Sequence, residues 1–423
     1  MESSLPRIAI VTATFPPYRG GMGNVALTQA KLLQAAGFPV IVYTPLHLES
    51  FSSSHSRWSL GKIFSWWRQN KLHGQGSVTG YTPTAPAGEQ VEGVLVRRLK
   101  AVAHYGNAAW CPSIAKVTRE AEVVLLHYPF FGGIESLALR RKVSGQRLVV
   151  YYHMDAIGRG FWWFIFRLHR WLFLPPLLQQ ADAVAVSSYE YAHSSSALRP
   201  LLQTLRGKLH EVPLSVDTVH FSPGAKPEAL RRSLGMPPSD LVVLFVGVLD
   251  RAHYFKGLPI LLKAWQRLTK HFPETRLVVV GEGNKRADFL EEAHRRGLAK
   301  SVVFAGAVAE ADLPDYYRLA DVVVLPSIDR SEAFGLVLLE AMASGRATLA
   351  SRLPGVASVV RVGETGYLLP VGSSRALAAA LERLLAMPSV LKAMGEKGRA
   401  VAETEYSEAK LAERLCSLVS PPR

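Results

Sequence analysis

Two carboxylates stand out by their spacing. Glu332 and Glu340 lie in Ser331-Glu332-Ala333-Phe334-Gly335-Leu336-Val337-Leu338-Leu339-Glu340, at the start of an apolar run that Gly345 closes. The pattern predicts a strand over Val322 to Leu325, a loop over Pro326 to Glu332 and a helix over Leu336 to Ser344. With a helical rise of about 1.5 Å per residue, the acids sit roughly 7–12 Å apart along the axis, the scale of a sugar diphosphate. The helix start between them offers unpaired N–H groups and a positive dipole end to an anion. Acids flanking an anion site suit hydroxyl recognition, one on a sugar and one on a ribose. The competing reading makes Glu332 a first-turn capping charge and Glu340 part of a solvated helix face.

A second cluster supplies cations. Phe245-Val246-Gly247-Val248-Leu249-Asp250-Arg251-Ala252-His253-Tyr254-Phe255-Lys256-Gly257 runs from a strand through a loop into a helix. Arg251 and Lys256 there would neutralise a diphosphate and stabilise it as it leaves; the alternative is a pair of solvent-facing loop charges.

Two further positions come after strands in the first half. Gly21-Met22-Gly23-Asn24-Val25-Ala26 satisfies the G-x-G-x-x-A pattern of dinucleotide sites. The glycines come several residues after the strand, however, and the next strand ends at Tyr43-Thr44 without a ribose-binding acid. A glycine loop that lets backbone approach a phosphate fits better, with Gly21 as the candidate and a flexible turn as the alternative. In Val149-Val150-Tyr151-Tyr152-His153-Met154-Asp155, His153 stands just past a strand, where open α/β sheets place ligand-binding groups. Asp155 is the candidate for orienting it.

These groups need a frame to hold them. Strand-like runs at 7–12, 39–43, 94–96, 123–126 and 148–151 alternate with helical stretches, and a second series runs at 241–246, 276–280, 302–304 and 322–325. Each half therefore reads as α/β with a doubly wound, Rossmann-like parallel sheet, and the two face each other across a cleft. The divisions are residues 1–218, 219–400 and a closing segment 401–423. Ala181-Asp182-Ala183-Val184 echoes Ala320-Asp321-Val322-Val323. Residues 50–90, rich in Ser, Gly and Pro, read as an insertion near the mouth of the first domain.

Composition excludes several classes. Apolar residues at 48% and charged ones at 20% make a globular chain, and its 423 residues imply two domains. Cys111 and Cys416 match no metal spacing, which argues for a reducing, cytoplasmic setting. The N-terminus lacks the basic and long apolar regions of a signal peptide. The net charge of +15 divides unevenly: residues 1–218 carry 22 Lys/Arg against 12 Asp/Glu, giving +10, and residues 219–423 carry 27 against 22, giving +5. Trp66, Trp67, Trp110, Trp162, Trp163 and Trp171 share the basic half. That combination favours an anionic membrane surface or an anionic substrate, and no nucleic-acid signature accompanies it. The run from Phe161 to Leu174 is either an in-plane membrane helix or a buried interdomain one; its charges and Pro175-Pro176 oppose a spanning helix.

The segment from Ser331 to Ala343 resembles the signature of the retaining glycosyltransferases of family 4, which have the GT-B fold. The similarity covers nearly the whole chain, strongest from Leu241 to Pro370 and weakest over residues 45–120. It implies that Glu332 contacts the donor sugar and Glu340 the ribose, while backbone at Phe334, Gly335 and Leu336 meets sugar and diphosphate. Lys256 matches the family's lysine. Val248 stands where the family places an arginine, and Arg251 takes that role from a longer loop. Gly21 is placed at the donor phosphate and His153 near the transferred sugar. The loops at Gly281-Glu282-Gly283 and Gly306 border the nucleobase, and the segment from Tyr406 to Ser420 forms a helix crossing back to the first domain.

The resemblance further implies hexosyl transfer with retention, from a nucleotide-diphosphate sugar to a glycan or lipid-linked acceptor. Such a transfer needs no cofactor and no metal, and no Asp-x-Asp motif is present. The rivals are a nucleotide-sugar epimerase of the same fold and a non-catalytic sugar-binding protein.

Overall fold

The computed structural model describes residues 5–17, 21–46, 88–105, 108–139, 143–156 and 161–420. The 50–90 insertion, apart from its last three residues, lies outside these, as do Trp66 and Trp67.

The apolar runs form two sheets. The first contains β1 (Ile8–Val11), β2 (Val40–Pro45), β3 (Glu89–Val91) and β4 (Val94–Leu99), after which comes a small separate hairpin of β5 (Ala103–Tyr105) and β6 (Ala108–Trp110). It continues with β7 (Val123–Tyr128), β8 (Arg147–Tyr152), β9 (Ala183–Val186) and β10 (Leu209–Glu211). Its order is β10-β9-β8-β7-β1-β2-β4-β3, parallel except for β3 against β4. The second sheet is fully parallel: β11 (Leu241–Val246), β12 (Thr275–Val280), β13 (Val302–Gly306), β14 (Val322–Leu325), β15 (Ala347–Ser351) and β16 (Gly366–Leu369), in the order β13-β12-β11-β14-β15-β16. Because helices cover both faces, the central strands are largely apolar instead of alternating; β1, β7, β9 and β14 are buried at every residue.

The helices that position the site and join the halves are α1 (Gly21–Ala35), α2 (Ile134–Leu139), α3 (Phe161–Gln180), α4 (Tyr189–Ser194), α5 (Leu258–Leu268), α6 (Arg286–Arg295), α7 (Leu313–Leu319), α8 (Leu336–Ala343), α9 (Pro354–Ala357), α10 (Ser374–Leu385), α11 (Pro388–Glu405) and α12 (Glu408–Val419). Helix α5 shows the pattern that fixes them: Leu258, Leu261, Leu262, Trp265 and Leu268 repeat at helical spacing and are buried. Glycines stop helices where the chain needs positive φ, as at Gly37 (φ 90°) after α1 and Gly345 (φ 69°) after α8.

The Ala-Asp-Ala-Val echo has a physical cause other than equivalent position. Strand β9 is three strands from β1, whereas β14 is the immediate neighbour of β11. What the two share is local chemistry. Asp182 accepts from the Leu148 N–H through its carboxylate at 2.7 Å and donates its own N–H to the Leu148 carbonyl at 2.8 Å. Asp321 brackets Val242 in the same way, at 2.8 Å for both bonds.

In each sheet the order reverses at one place, between β1 and β7 and between β11 and β14. Crevices at such switch points are where open α/β sheets bind ligands. The C-terminal chain ties the halves together. Val216 donates to the Tyr406 carbonyl at 2.9 Å, α12 packs on α1, and Arg147 donates to the Leu418 carbonyl at 3.0 Å. Leu411, Leu415, Leu418 and Val419 are its buried face. Among the described residues no helix is long and apolar enough to cross a membrane.

Leu415 is fully buried in the core, on the helix that packs against α1 and β8. Leu415→Ala should lower unfolding free energy by roughly 2–5 kcal/mol, as core truncations do; a urea midpoint unchanged from the parent chain would show that α12 adds nothing to the core.

Candidate active site

The central contact is an ion pair. Lys256 Nζ donates to Glu332 Oε2 at 2.7 Å, with the two side chains only 17% and 8% exposed, and Ser327 Oγ donates to the same carboxylate oxygen at 3.0 Å. Two loops must cross to make it. The loop after β11 ends at Gly257 (φ 76°), where a Cβ would lie 1.9 Å from the Pro326 carbonyl oxygen, so only glycine lets the chains touch. The Ile328 N–H donates to the Phe255 carbonyl at 2.8 Å, and Tyr254 donates its hydroxyl to Asp329.

Helix α8 starts directly behind Glu332. Its N-cap, Gly335, has φ 92° and makes no side-chain capping bond, which leaves the first N–H groups of α8 free of a side-chain partner. Glu340 lies one turn further on. Burial raises its carboxyl pKa, while the Tyr317 hydroxyl, which donates to it, and nearby Lys256 act in the opposite direction. Lys256 thus stands beside both acids. Phe334 is buried, and Leu336 opens the helix.

Arg251 is not brought into this group. It lies on the exposed part of the loop, where its backbone N–H donates to Asn284 Oδ1 at 3.3 Å and its charge adds to the hydrogen bond and charge of Lys285 that chiefly lower the pKa of Asp288 on α6. The glycine loops after β12 and β13 are held by backbone. Gly281 donates to the Gly306 carbonyl at 2.8 Å and Leu249 to the Glu282 carbonyl at 2.8 Å, and a Cβ on Gly281 would meet the Gly247 oxygen at 2.0 Å.

Facing these loops is the crevice of the first sheet. His153, 8% exposed, comes directly after β8 and makes a 2.8 Å hydrogen bond from Nε2 to Nδ1 of His127, the penultimate residue of β7. The rings stack with centroids 5.0 Å apart. Burial pushes the His153 pKa down to about 3, and it pushes His127 well below its usual value, with His153 adding to the effect. Both rings are therefore neutral, one donating and one accepting. Asp155 does not orient His153. Its oxygens accept from Tyr152 Oη at 2.7 Å and from the Ser196 N–H at 3.0 Å, which anchors the segment after α4. Gly21 opens α1 with free space around it; the tight glycine is Gly23, where a Cβ would sit 3.1 Å from the Thr14 oxygen.

The halves meet here. Ala333 packs against the core of the first domain, as Met22 and Met154 do, and Tyr191 Oη both donates to the Arg330 carbonyl at 3.4 Å and accepts from the Asp155 N–H at 2.7 Å. Beside this contact is a cleft of about 550 Å³ lined from both halves, by Asp155, Trp163, Arg167 and Arg170 on one side and Asp329 and Arg330 on the other.

His127, Tyr317 and Ser327 do not stand out in the sequence. His127 lies at the end of a strand just as His153 lies beyond one, so the same strand-end rule identifies it once β7 is known to neighbour β8 and β1.

Two doubly wound sheets around such a cleft define the GT-B class, and comparison with known proteins agrees. The family model described as "Glycosyl transferase 4-like domain" matches residues 20–247, and that of "Glycosyl transferases group 1" matches 227–401. The chain belongs to the family 4 glycosyltransferases of GT-B fold. It is 39% identical over 199 residues to D-inositol 3-phosphate glycosyltransferase of Segniliparus rotundus, a match spanning 46% of this chain and 43% of that protein, so less than half of that relative's length is covered. It is 28% identical over 360 residues to the GDP-mannose-dependent alpha-(1-6)-phosphatidylinositol monomannoside mannosyltransferase of Mycolicibacterium smegmatis, covering 82% and 91%. Its fold is similar to that of sucrose-phosphate synthase from Thermosynechococcus elongatus (TM-score 0.71, 21% identity, 98% of each chain) and of Anabaena HepE in complex with UDP and glucose (0.69, 18%, 99% and 100%).

The neutral histidine pair has a pH signature. A depressed folded-state pKa stabilises above the unfolded value of 6.5, and that stability is lost as pH falls toward about 3. His153→Asn should therefore lose less stability on acidification than the parent chain, by roughly 2–3 kcal/mol at about pH 4.5. Parallel urea midpoints for the two chains would contradict the assignment.

Proposed function

We propose that this chain is a metal-independent, retaining hexosyltransferase. It moves a sugar from a nucleotide-diphosphate donor to a glycan or lipid-linked acceptor in surface polysaccharide or glycolipid synthesis. The observation that carries the reading is the Lys256–Glu332 pair at the open N-terminus of α8, with Glu340 one turn further on. A diphosphate placed at that helix end meets free N–H groups, the dipole and the Lys256 ammonium, which exchanges part of its contact with Glu332 for phosphate as negative charge develops. Glu332 then holds a sugar hydroxyl and Glu340 the ribose. The departing phosphate accepts the acceptor's proton on the same face, which gives retention without a covalent intermediate.

His153 faces the sugar from the first domain as a neutral hydrogen-bonding group oriented by His127. Gly21 and the start of α1 border the phosphates. Arg251 reaches them only if its loop moves off Asn284 and Asp288, so Lys256 is the main cation of the reaction.

The acceptor side is supported by the names of the two relatives, which act on an inositol phosphate and on a phosphatidylinositol mannoside. It is also supported by the exposed apolar face of α3, which suits peripheral contact with the inner face of an anionic membrane. No nucleic acid takes part in this reading.

The test is a screen of UDP-, GDP- and ADP-hexoses for slow hydrolysis without acceptor, then NMR of the anomeric product. One donor should be hydrolysed with net retention. Epimerised donor with no free nucleotide would favour the isomerase, and failure to bind any donor would refute the transferase. With the active donor, Glu332→Gln should lower kcat by roughly 10²–10³, whereas Glu340→Gln should mainly raise donor KM, by about tenfold or more. Equal kinetics for both variants and the parent would remove these roles.

A further inference from the structure

The interdomain cleft carries charge that the donor site does not use. Arg167, Arg170 and Arg330 converge on it, and among the described residues none is ion-paired. Arg170 spends one donor on Ser196 Oγ at 2.9 Å, Arg330 donates to the Ser194 carbonyl, and Arg167 lies over the Trp163 ring at 5.2 Å. A guanidinium has five N–H donors, so most remain available. Two carboxylates, Asp155 and Asp329, line the same cleft, so three arginines against two aspartates leave it a formal excess of one positive charge. Asp155 accepts from Tyr152, Ser195 and Ser196, and Asp329 from Tyr254 and the Ser331 N–H. The aspartate oxygens are thus held by protein donors, whereas each arginine that lines the cleft has more N–H groups than the protein partners named above.

The same helix supplies an apolar edge. On α3, Trp163 (52%), Phe164, Leu168, Trp171 (71%) and Leu172 are exposed, at positions that recur every fourth residue and share one face with Arg167. The next turns are different: Leu174, Leu177 and Leu178 are buried in the first domain's core. The opposite face docks through Phe166 stacked on Phe131 at 4.7 Å and His169 bonded to Glu135 of α2. The exposed stripe is therefore confined to the half of α3 beside the cleft, and Arg167 belongs to both.

We infer that this cleft is an acceptor subsite for a lipid phosphate. Arg167, Arg170 and Arg330 would bind the phosphate of the head group, and the Trp163–Leu172 stripe would lie in the lipid surface from which that head group projects. The inference rests on the transferase reading and narrows its acceptor to a phosphate-bearing membrane lipid. Charge complementarity selects that occupant: a neutral bilayer would leave the positive excess and the spare guanidinium donors unmatched, and a soluble sugar phosphate would leave the tryptophans in water.

The full chain is tested by co-sedimentation with vesicles of phosphatidylcholine alone and of phosphatidylcholine mixed with an equal part of phosphatidylinositol, with inorganic phosphate as the soluble probe. The parent chain should prefer the anionic vesicles. Arg167→Gln/Arg170→Gln should lose about tenfold or more of that binding, in line with charge-assisted hydrogen bonds, and should also lose competition by phosphate. Trp171→Ser/Leu172→Ser should lose vesicle binding but keep phosphate binding. Nucleotide-sugar binding should be unchanged in both, which also shows that they fold. Equal binding to neutral and anionic vesicles, indifference to the arginine changes, or phosphate binding without vesicle binding would each overturn the inference. Loss of donor binding in the parent chain, with the lipid results as expected, would instead overturn the transferase reading and leave the lipid site standing.

Discussion

A lysine and a glutamate sharing one buried corner set the terms for the second domain. Bringing Lys256 Nζ within 2.7 Å of Glu332 requires the loop after β11 to lie on the loop after β14, which explains the left-handed Gly257 and its contact with Pro326. Gly335 must then turn sharply, at φ 92°, for α8 to begin behind the carboxylate. A buried pair of opposite charges adds little net stability, because dehydration offsets most of the attraction. Its value here is positional: removing either partner strands the other charge, so the crossing holds only as a set.

Much of this is legible in the sequence because it is local. The spacing of Glu332 and Glu340, the apolar run of α8 and the stop at Gly345 lie within fifteen consecutive residues, and helix geometry alone relates them. The alternation of strands and helices is legible for the same reason. The short strand β15 and the edge strand β16 do not announce themselves: Ala347–Ser351 has one large apolar residue, Leu349, among small and polar ones, and Gly366–Leu369 is too short a run to set a period.

Contacts made between distant segments are hidden. His127 pairs with His153 only because β7 and β8 are neighbours, which sequence spacing does not state. Asp155 lies two residues from His153 and invites the reading of an orienting acid, yet the chain turns away after β8 and delivers its carboxylate to Ser195 and Ser196. Gly21 and Gly23 look alike in sequence; packing separates them, since only Gly23 presses on the first strand's exit. For α3, one face of the run from Phe161 to Leu174 is exposed along Trp163 to Leu172 while the other is half-buried against Phe131 and Glu135 and Leu174 is buried, a division that depends on neighbours the sequence does not name.

The electrostatics divide the work of the proposed reaction between the sheets. Burial keeps the His153 ring uncharged, so in that reaction the first domain would offer the sugar directional hydrogen bonding, with His127 fixing the ring. Fixed positive character near the phosphates comes from the second domain, through Lys256 and the first turn of α8. Hence charge that develops on the leaving group is met by groups already held in place by Glu332, and no proton need enter the first domain's crevice to balance it. The arginines of the cleft belong to a different region, joined to the site through the Tyr191 and Arg330 contact between the halves. In the proposed reaction the first domain would therefore present a neutral, shape-selective wall to a charged donor site, and the cationic cleft beside it would be a separate station for whatever receives the sugar.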